Sequence, residues 1–160
     1  MTKNVKLEFR IENEDGSVDV ETPWAVPMGD DLYELANIPF YAYRVSESDV
    51  VHATKDTDDG FPVFKKVVKK SGNKTVRIIF EPPVEEGNPS EQILNQLVAK
   101  GCSYEGANKA YIGLTIPPQV DLFEIRDFLE QHKLQWEHAD PKHEDIYSAS
   151  NIQSKLWWKL

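Results

Sequence analysis

The chain has a single cysteine, Cys102, among its 160 residues. An internal disulfide is excluded, and one lone thiol fits a reducing compartment, where it is more often a small buried hydrophobe than a nucleophile. There is no apolar run long enough to cross a bilayer, and no leader-like segment precedes the first strand pattern, so a cytoplasmic protein is expected. No glycine-rich turn enters a helix to cradle phosphate, and no Gly-x-Ser-x-Gly elbow is present. Carboxylates are plentiful, but none forms an acid/base pair that the sequence alone could single out. His138, Asp140, His143, Glu144 and Asp145 lie close together without a recognised zinc spacing. No catalytic residue, metal site or cofactor is therefore expected.

What is present is charge of uneven sign. The net charge is −9. Residues 1–60 carry 14 acidic and 5 basic side chains, residues 61–80 carry 6 basic and none acidic, and residues 81–160 carry 13 acidic and 7 basic. Overall acidity argues against a general nucleic-acid binder and in favour of a basic partner.

Val5, Leu7, Phe9 and Ile11 alternate with charged residues, which predicts a half-buried strand. Asp15-Gly16 predicts a hairpin turn, and Val18, Val20 and Thr22 a second strand running on to Trp24. Gly29-Asp-Asp31, Pro39 and Ser46-Glu-Ser-Asp49 then break residues 24–51 into short strand-like pieces, as in a small curved β-barrel. Phe61–Lys70 and Lys74–Phe80 read as strands joined by a Ser71-Gly-Asn73 turn. Together they form a basic hairpin carrying Lys65, Lys66, Lys69, Lys70, Lys74 and Arg77, with Phe61 and Phe64 interleaved.

From Lys74 onward the pattern is strand, helix, strand, strand, helix, strand. Asn88, followed by Pro89 and by Glu91 three residues on, predicts one helix start, and Asp121 with Glu124 a second. That order is the ferredoxin-like βαββαβ arrangement. The expected fold class is α+β: a barrel-like β domain over 1–72, a ferredoxin-like α+β domain over 73–139, and a C-terminal tail over 140–160 with helical spacing.

The central stretch also carries a resemblance. Trp24-x-x-Pro27, then Tyr33-x-Leu-x-Asn-Ile-Pro-Phe40, the aromatics Tyr41 and Tyr43, and Val45-Ser-x-x-Asp-Val-Val51 resemble a bacterial family, domain of unknown function 4265. The family usually places Gly where this chain has Ser48, which matters if that position needs a positive φ. The resemblance implies no activity.

Two surfaces suggest partners. Asp56, Asp58 and Asp59 in one turn, Glu85 and Glu86 in a loop between the two halves, and the terminal pair Trp157 and Trp158 would meet a basic protein. The expectation is a non-enzymatic protein-binding domain, specifically an immunity protein neutralising a cognate bacterial toxin that is basic, a nuclease being the kind of toxin that fits. Two alternatives stand beside it. One is a nucleic-acid-associated accessory protein using the basic hairpin 61–80. The other is a small-molecule-binding module with a pocket between the halves lined by Trp24, Phe40, Tyr41 and Tyr43.

Overall fold

The computed structural model describes residues 3–147. Its architecture is mixed α+β, with a curled N-terminal sheet and a later sheet backed by helices.

The first five-stranded sheet is built from β1 (Val5–Lys6), β4 (Trp24–Gly29), β5 (Leu32–Leu35), β6 (Val50–Lys55) and β7 (Pro62–Lys69), hydrogen-bonded in that order. Its curl has a visible cause. The N-terminal strand expected over Val5–Ile11 divides at Leu7 and Glu8. Lys6 pairs with Trp24 on β4, whereas Glu8 bridges to Val63 on β7 and exchanges backbone hydrogen bonds with Pro62 and Phe64. One short stretch thus touches both edges of the sheet and draws them together. The chain then continues as β2 (Phe9–Glu12), paired only with β3 (Val18–Glu21). The strand expected from Val18 through Trp24 is two strands. They part at Pro23, which has no N–H to give to a ladder, and the β3 valines are 52% and 56% exposed. Leu7, Phe9, Ala25, Leu35, Val51 and Ala53 fill the inside of the curl.

The second sheet contains β8 (Lys74–Ile79), β9 (Ser103–Gly106), β10 (Tyr111–Ile116) and β11 (Gln135–Asp140) in the order β11-β8-β10-β9, every neighbouring pair antiparallel. Helix α1 (Pro89–Ala99) follows β8 and α2 (Leu122–Gln131) follows β10. Both helix starts form as their sequences dictate. Asn88 accepts from the Glu91 N–H at 2.9 Å, and Glu91 reaches back to the Gly87 N–H at 3.0 Å. Asp121 accepts from the Phe123 N–H at 2.9 Å. The helices bury Leu94, Leu97, Ile125 and Leu129 against Val76, Ile78, Ile112 and Leu114 of the sheet. Each such side chain contributes on the order of 2 kcal/mol by leaving water. A short α3 (His143–Tyr147) ends the described chain.

Two sequence expectations need correction. The basic segment 61–80 is not a hairpin: β7 belongs to the first sheet and β8 to the second, and Ser71–Asn73 is the link between them. Glu85 and Glu86 do not lie between the halves either; they sit in the turn between β8 and α1, inside the second half.

Candidate functional site

Strand alternation gives the second sheet two faces. Val76, Ile78, Ile112 and Leu114 point to the helices. Thr75, Arg77, Tyr111, Gly113, Thr115, Glu105 and Glu137 point the other way, onto the loop of residues 36–49 that joins β5 to β6.

That loop has almost no ladder of its own, so its backbone donors must find partners elsewhere. Carboxylates supply most of them. Glu21 on β3 accepts from the N–H groups of Phe40, Tyr41 and Ala42. Glu105 on β9 accepts from the Ile38 N–H at 2.9 Å and from the Asn37 side-chain amide at 3.3 Å. Asp49 accepts from the Ser46 N–H at 2.9 Å. Carbonyls are met from the sheet: the Arg77 guanidinium donates to Ala42 O, and the Tyr111 hydroxyl to Phe40 O. Gly113 makes the approach possible, because a Cβ there would stand 2.8 Å from an Ile38 methyl. Burial pushes the Tyr111 phenol up to about 12, so it stays a donor at neutral pH.

At the inner end, Ser46, Asp49, Thr75 and Asp140 form a buried polar junction between the two sheets. The Ser46 hydroxyl donates to Asp140 at 2.6 Å and lies 2.6 Å from the Thr75 hydroxyl. The Lys70 ammonium donates to Asp49 at 2.6 Å and to Asp140 at 2.5 Å. Partial burial works against this ammonium, but hydrogen bonds to Asp140 and Asp49 outweigh it and hold its pKa above the ordinary lysine value. Asp140 can take part because β11 bulges between His138 and Asp140, opposite Val76 and Thr75 of β8. The extra residue turns the Asp140 side chain to the loop face and frees the Ala139 carbonyl to accept from the Arg44 N–H at 2.9 Å. Ser48 has φ +71°, a left-handed conformation that glycine adopts without strain.

A concavity of about 940 Å³ lies beside this junction, between the β2–β3 turn and the β11–α3 edge. Glu12 and Glu14 stand on the turn; Tyr43, Trp136 and Tyr147 supply aromatic walls. The Tyr43 hydroxyl donates to Glu137, and the Lys142 ammonium and Arg77 guanidinium lie 4.8 and 4.9 Å from its ring centroid. His138, at the back, packs edge-on to Trp136 at 4.6 Å and lies 5.7 Å from the Tyr147 ring. Burial, then the neighbouring His143 and Arg126, push the His138 imidazole down to about 4, so it is neutral at physiological pH. The lining carries Glu12, Glu14, Glu130, Glu137 and Glu144 against Arg126 and Lys142, so carboxylates prevail, while the Tyr43 ring already holds the Lys142 ammonium and the Arg77 guanidinium.

The sequence-predicted site residues are dispersed. Trp24 lies on a separate hollow with Phe61 and Tyr33. Tyr41 lines another with Arg77 and Tyr111. Tyr43 lines the large cleft, and Phe40 packs toward Gly113. The expected common pocket of Trp24, Phe40, Tyr41 and Tyr43 is not formed, because Pro39 and the Glu21 carboxylate turn the loop between them. Asp56 is paired with Arg10 at 3.0 Å and Lys65 at 3.5 Å, and Glu85 with Lys109 at 3.2 Å. Asp58, Asp59 and Glu86 stand in the same two exposed turns. Trp157 and Trp158 lie outside the described residues. Among the described residues no group of three His, Cys, Asp or Glu could hold a metal ion, and no helix is long and apolar enough to cross a membrane. Asp140 turns to Lys70, while Glu144 and Asp145 pair with Arg44 at 2.9 and 3.0 Å. Glu21, Arg77 and the cleft residues Trp136 and Tyr147 were not singled out for these roles from sequence. Nothing in the local spacing of Glu21 and Arg77 marks them, since their partners, residues 40–42 and Ala42, lie far along the chain.

Residues 21–138 match a domain of unknown function, DUF4265. The chain belongs to this family. The matched range includes the loop described above, whose residues Asn37 to Phe40 dock on the second sheet and whose Ser46 and Asp49 build the junction. No curated protein matches the chain. Among solved structures it is similar to a hypothetical protein from Neisseria gonorrhoeae, with a TM-score of 0.71 at 17% identity, over 88% of this chain and 95% of that one. That likeness concerns the fold alone.

Proposed function

We propose that this DUF4265 chain is a non-enzymatic protein-binding domain that takes a basic partner at the cleft between the β2–β3 turn and the β11–α3 edge. In its sharper form the partner is a toxin and the chain its cytoplasmic immunity protein. The observation that supports the reading is the excess of carboxylates around the cleft, Glu12, Glu14, Glu130, Glu137 and Glu144 against Arg126 and Lys142, beside the aromatic side chains Trp136 and Tyr147. Carboxylates attract a lysine or arginine from a distance, and aromatic faces hold its desolvated end. The acidity of the chain outside residues 61–80 acts in the same direction.

The nucleic-acid alternative has less to stand on. Arg77 is only 2% exposed, Lys70 is committed to Asp49 and Asp140, and Lys65 pairs with Asp56. Phe64 is stacked on Phe9 at 4.4 Å and is not offered to bases.

Co-expression with basic toxin domains encoded beside the gene tests the proposal. Wild-type protein is expected to restore growth. The double substitution Glu12→Lys, Glu14→Lys is expected to slow association by about tenfold at low salt and to weaken rescue. Rescue that is indifferent to both charges would remove the cleft from the account.

A further inference from the structure

The two edges of the curled first sheet meet at Glu8, which bridges to Val63. Before that point Val5 and Lys6 pair with β4 and make no ladder to the chain entering β7. A hollow of about 600 Å³ opens in the gap, at one mouth of the curl. Tyr33 and Lys55 reach it from the inner face. Tyr33 alternates in phase with Leu35, and Lys55 with Val51 and Ala53, all three buried in the core of the curl. Barrel mouths are favoured places for small-molecule sites, and the volume lies within their usual range.

Its walls are apolar, with Val5, Pro27 and Pro62 beside two uncovered aromatics, Trp24 at 46% and Phe61 at 48% exposure. Its polar side chains all carry a donor: Lys6, Lys55, the Tyr33 hydroxyl and the Trp24 indole N–H. No carboxylate lines it. The Lys6 ammonium lies 5.1 Å from the Trp24 ring centroid, and none of the four side chains has an ion pair or a hydrogen bond among the described residues. Lys65, Lys70, Lys100, Lys109 and Lys142, by contrast, all pair with carboxylates. Burial, then the charge of Asp31 outside the lining, raises the Tyr33 phenol above its ordinary value, so it keeps its proton and can donate. In a chain of net charge −9, a lining with two cations and no acid favours an anion.

We propose that this hollow is a binding site for a small aromatic carboxylate, its ring lying among Trp24, Tyr33 and Phe61 and its carboxylate meeting the Lys55 ammonium. Lys6 adds to the positive field on the opposite flank. The site goes beyond the partner reading: it shares no residue with the acidic cleft, and its ligand carries the opposite charge.

Titration of the 15N-labelled full chain with 2-naphthylacetate, and separately with 2-(2-naphthyl)ethylamine, tests it. Saturable shifts of the Trp24 indole N–H and of the Lys6, Lys55 and Phe61 amides are expected with the acid, and about tenfold weaker binding with the amine. Lys55→Glu should weaken the acid by about tenfold and strengthen the amine. Phe61→Ser, which removes an apolar wall, should weaken both probes. Lys55 and Phe61 are exposed, so both variants are expected to keep the fold, which the rest of the amide spectrum reports. No saturable shifts with wild type, equal binding of the two probes, or acid binding unchanged by Lys55→Glu would each overturn the proposal.

Discussion

The two faces of the second sheet are covered by opposite chemistry. One is dry: two capped helices lay aliphatic stripes onto Val76, Ile78, Ile112 and Leu114. The other is polar: an irregular loop is held on Thr75, Arg77, Tyr111 and Thr115 through carboxylates and a buried guanidinium. The dry face is stabilised by area and tolerates small shifts. The polar face is stabilised by completeness, because each buried donor left without its acceptor costs more than the bond contributed. The difference sets four carboxylates apart from the rest of the acidity of this chain. Glu21, Asp49, Glu105 and Asp140 bind the protein to itself.

Substitutions can break each face in its own way. Ile125→Ala on the dry face should cost about 4 kcal/mol in chemical denaturation, the usual range for deleting a fully buried aliphatic group. Asp49→Ala on the polar face should cost about 3 kcal/mol, since it strands the Ser46 and Ser71 N–H groups and leaves Lys70 one carboxylate short. A loss below about 0.5 kcal/mol, typical of surface changes, would reduce the junction to ornament.

Acid should weaken the edge where the faces meet. His138 titrates at about 4 when folded, because burial disfavours its charge, against 6.5 when free. Between those values the unfolded chain binds the proton and the folded chain does not, so stability falls as pH drops from 6.5 to about 4. The expected loss is roughly 2–3 kcal/mol. Urea midpoints across that window, compared with His138→Phe, isolate the contribution: the variant should show a flatter profile by that amount.

Gly113→Ala should cost about 1–2 kcal/mol by driving a methyl into Ile38, whereas the same change on an open strand position would be neutral or helpful. The smallest effect is expected at Ser48. Replacing it by Gly relieves the left-handed strain and should stabilise by about 0.5 kcal/mol after the entropy cost of glycine.

The contrast between faces also governs what sequence reading could reach. The dry face was legible: apolar residues recur at helical and strand spacing, and both N-caps are local signals written within four residues. The polar face was not. Glu105 bonds residues 37 and 38, Asp140 bonds Ser46, and Glu21 bonds residues 40 to 42, and no periodicity links a carboxylate to a loop that far along the chain. Arg77 looked like one more cation on a basic hairpin because alternation cannot say whether a polar sheet face meets water or a loop. Ser71-Gly-Asn73 looked like a hairpin turn because a tight turn within one sheet and a link between two sheets use the same residues. Ser48 does adopt a positive φ, but nothing in its neighbourhood in the sequence indicates that residues 36–49 join the two sheets.

Loop 36–49 is docked through its own backbone amides. Residue-resolved hydrogen exchange by NMR tests this most directly. The N–H groups of Ile38, Phe40, Ala42, Arg44 and Ser46 are expected to exchange as slowly as the core amides of β8 and β10, and Asp49→Ala to accelerate Ser46 first. Exchange of these five amides at the rate of an unstructured peptide, with β8 and β10 still protected, would contradict it.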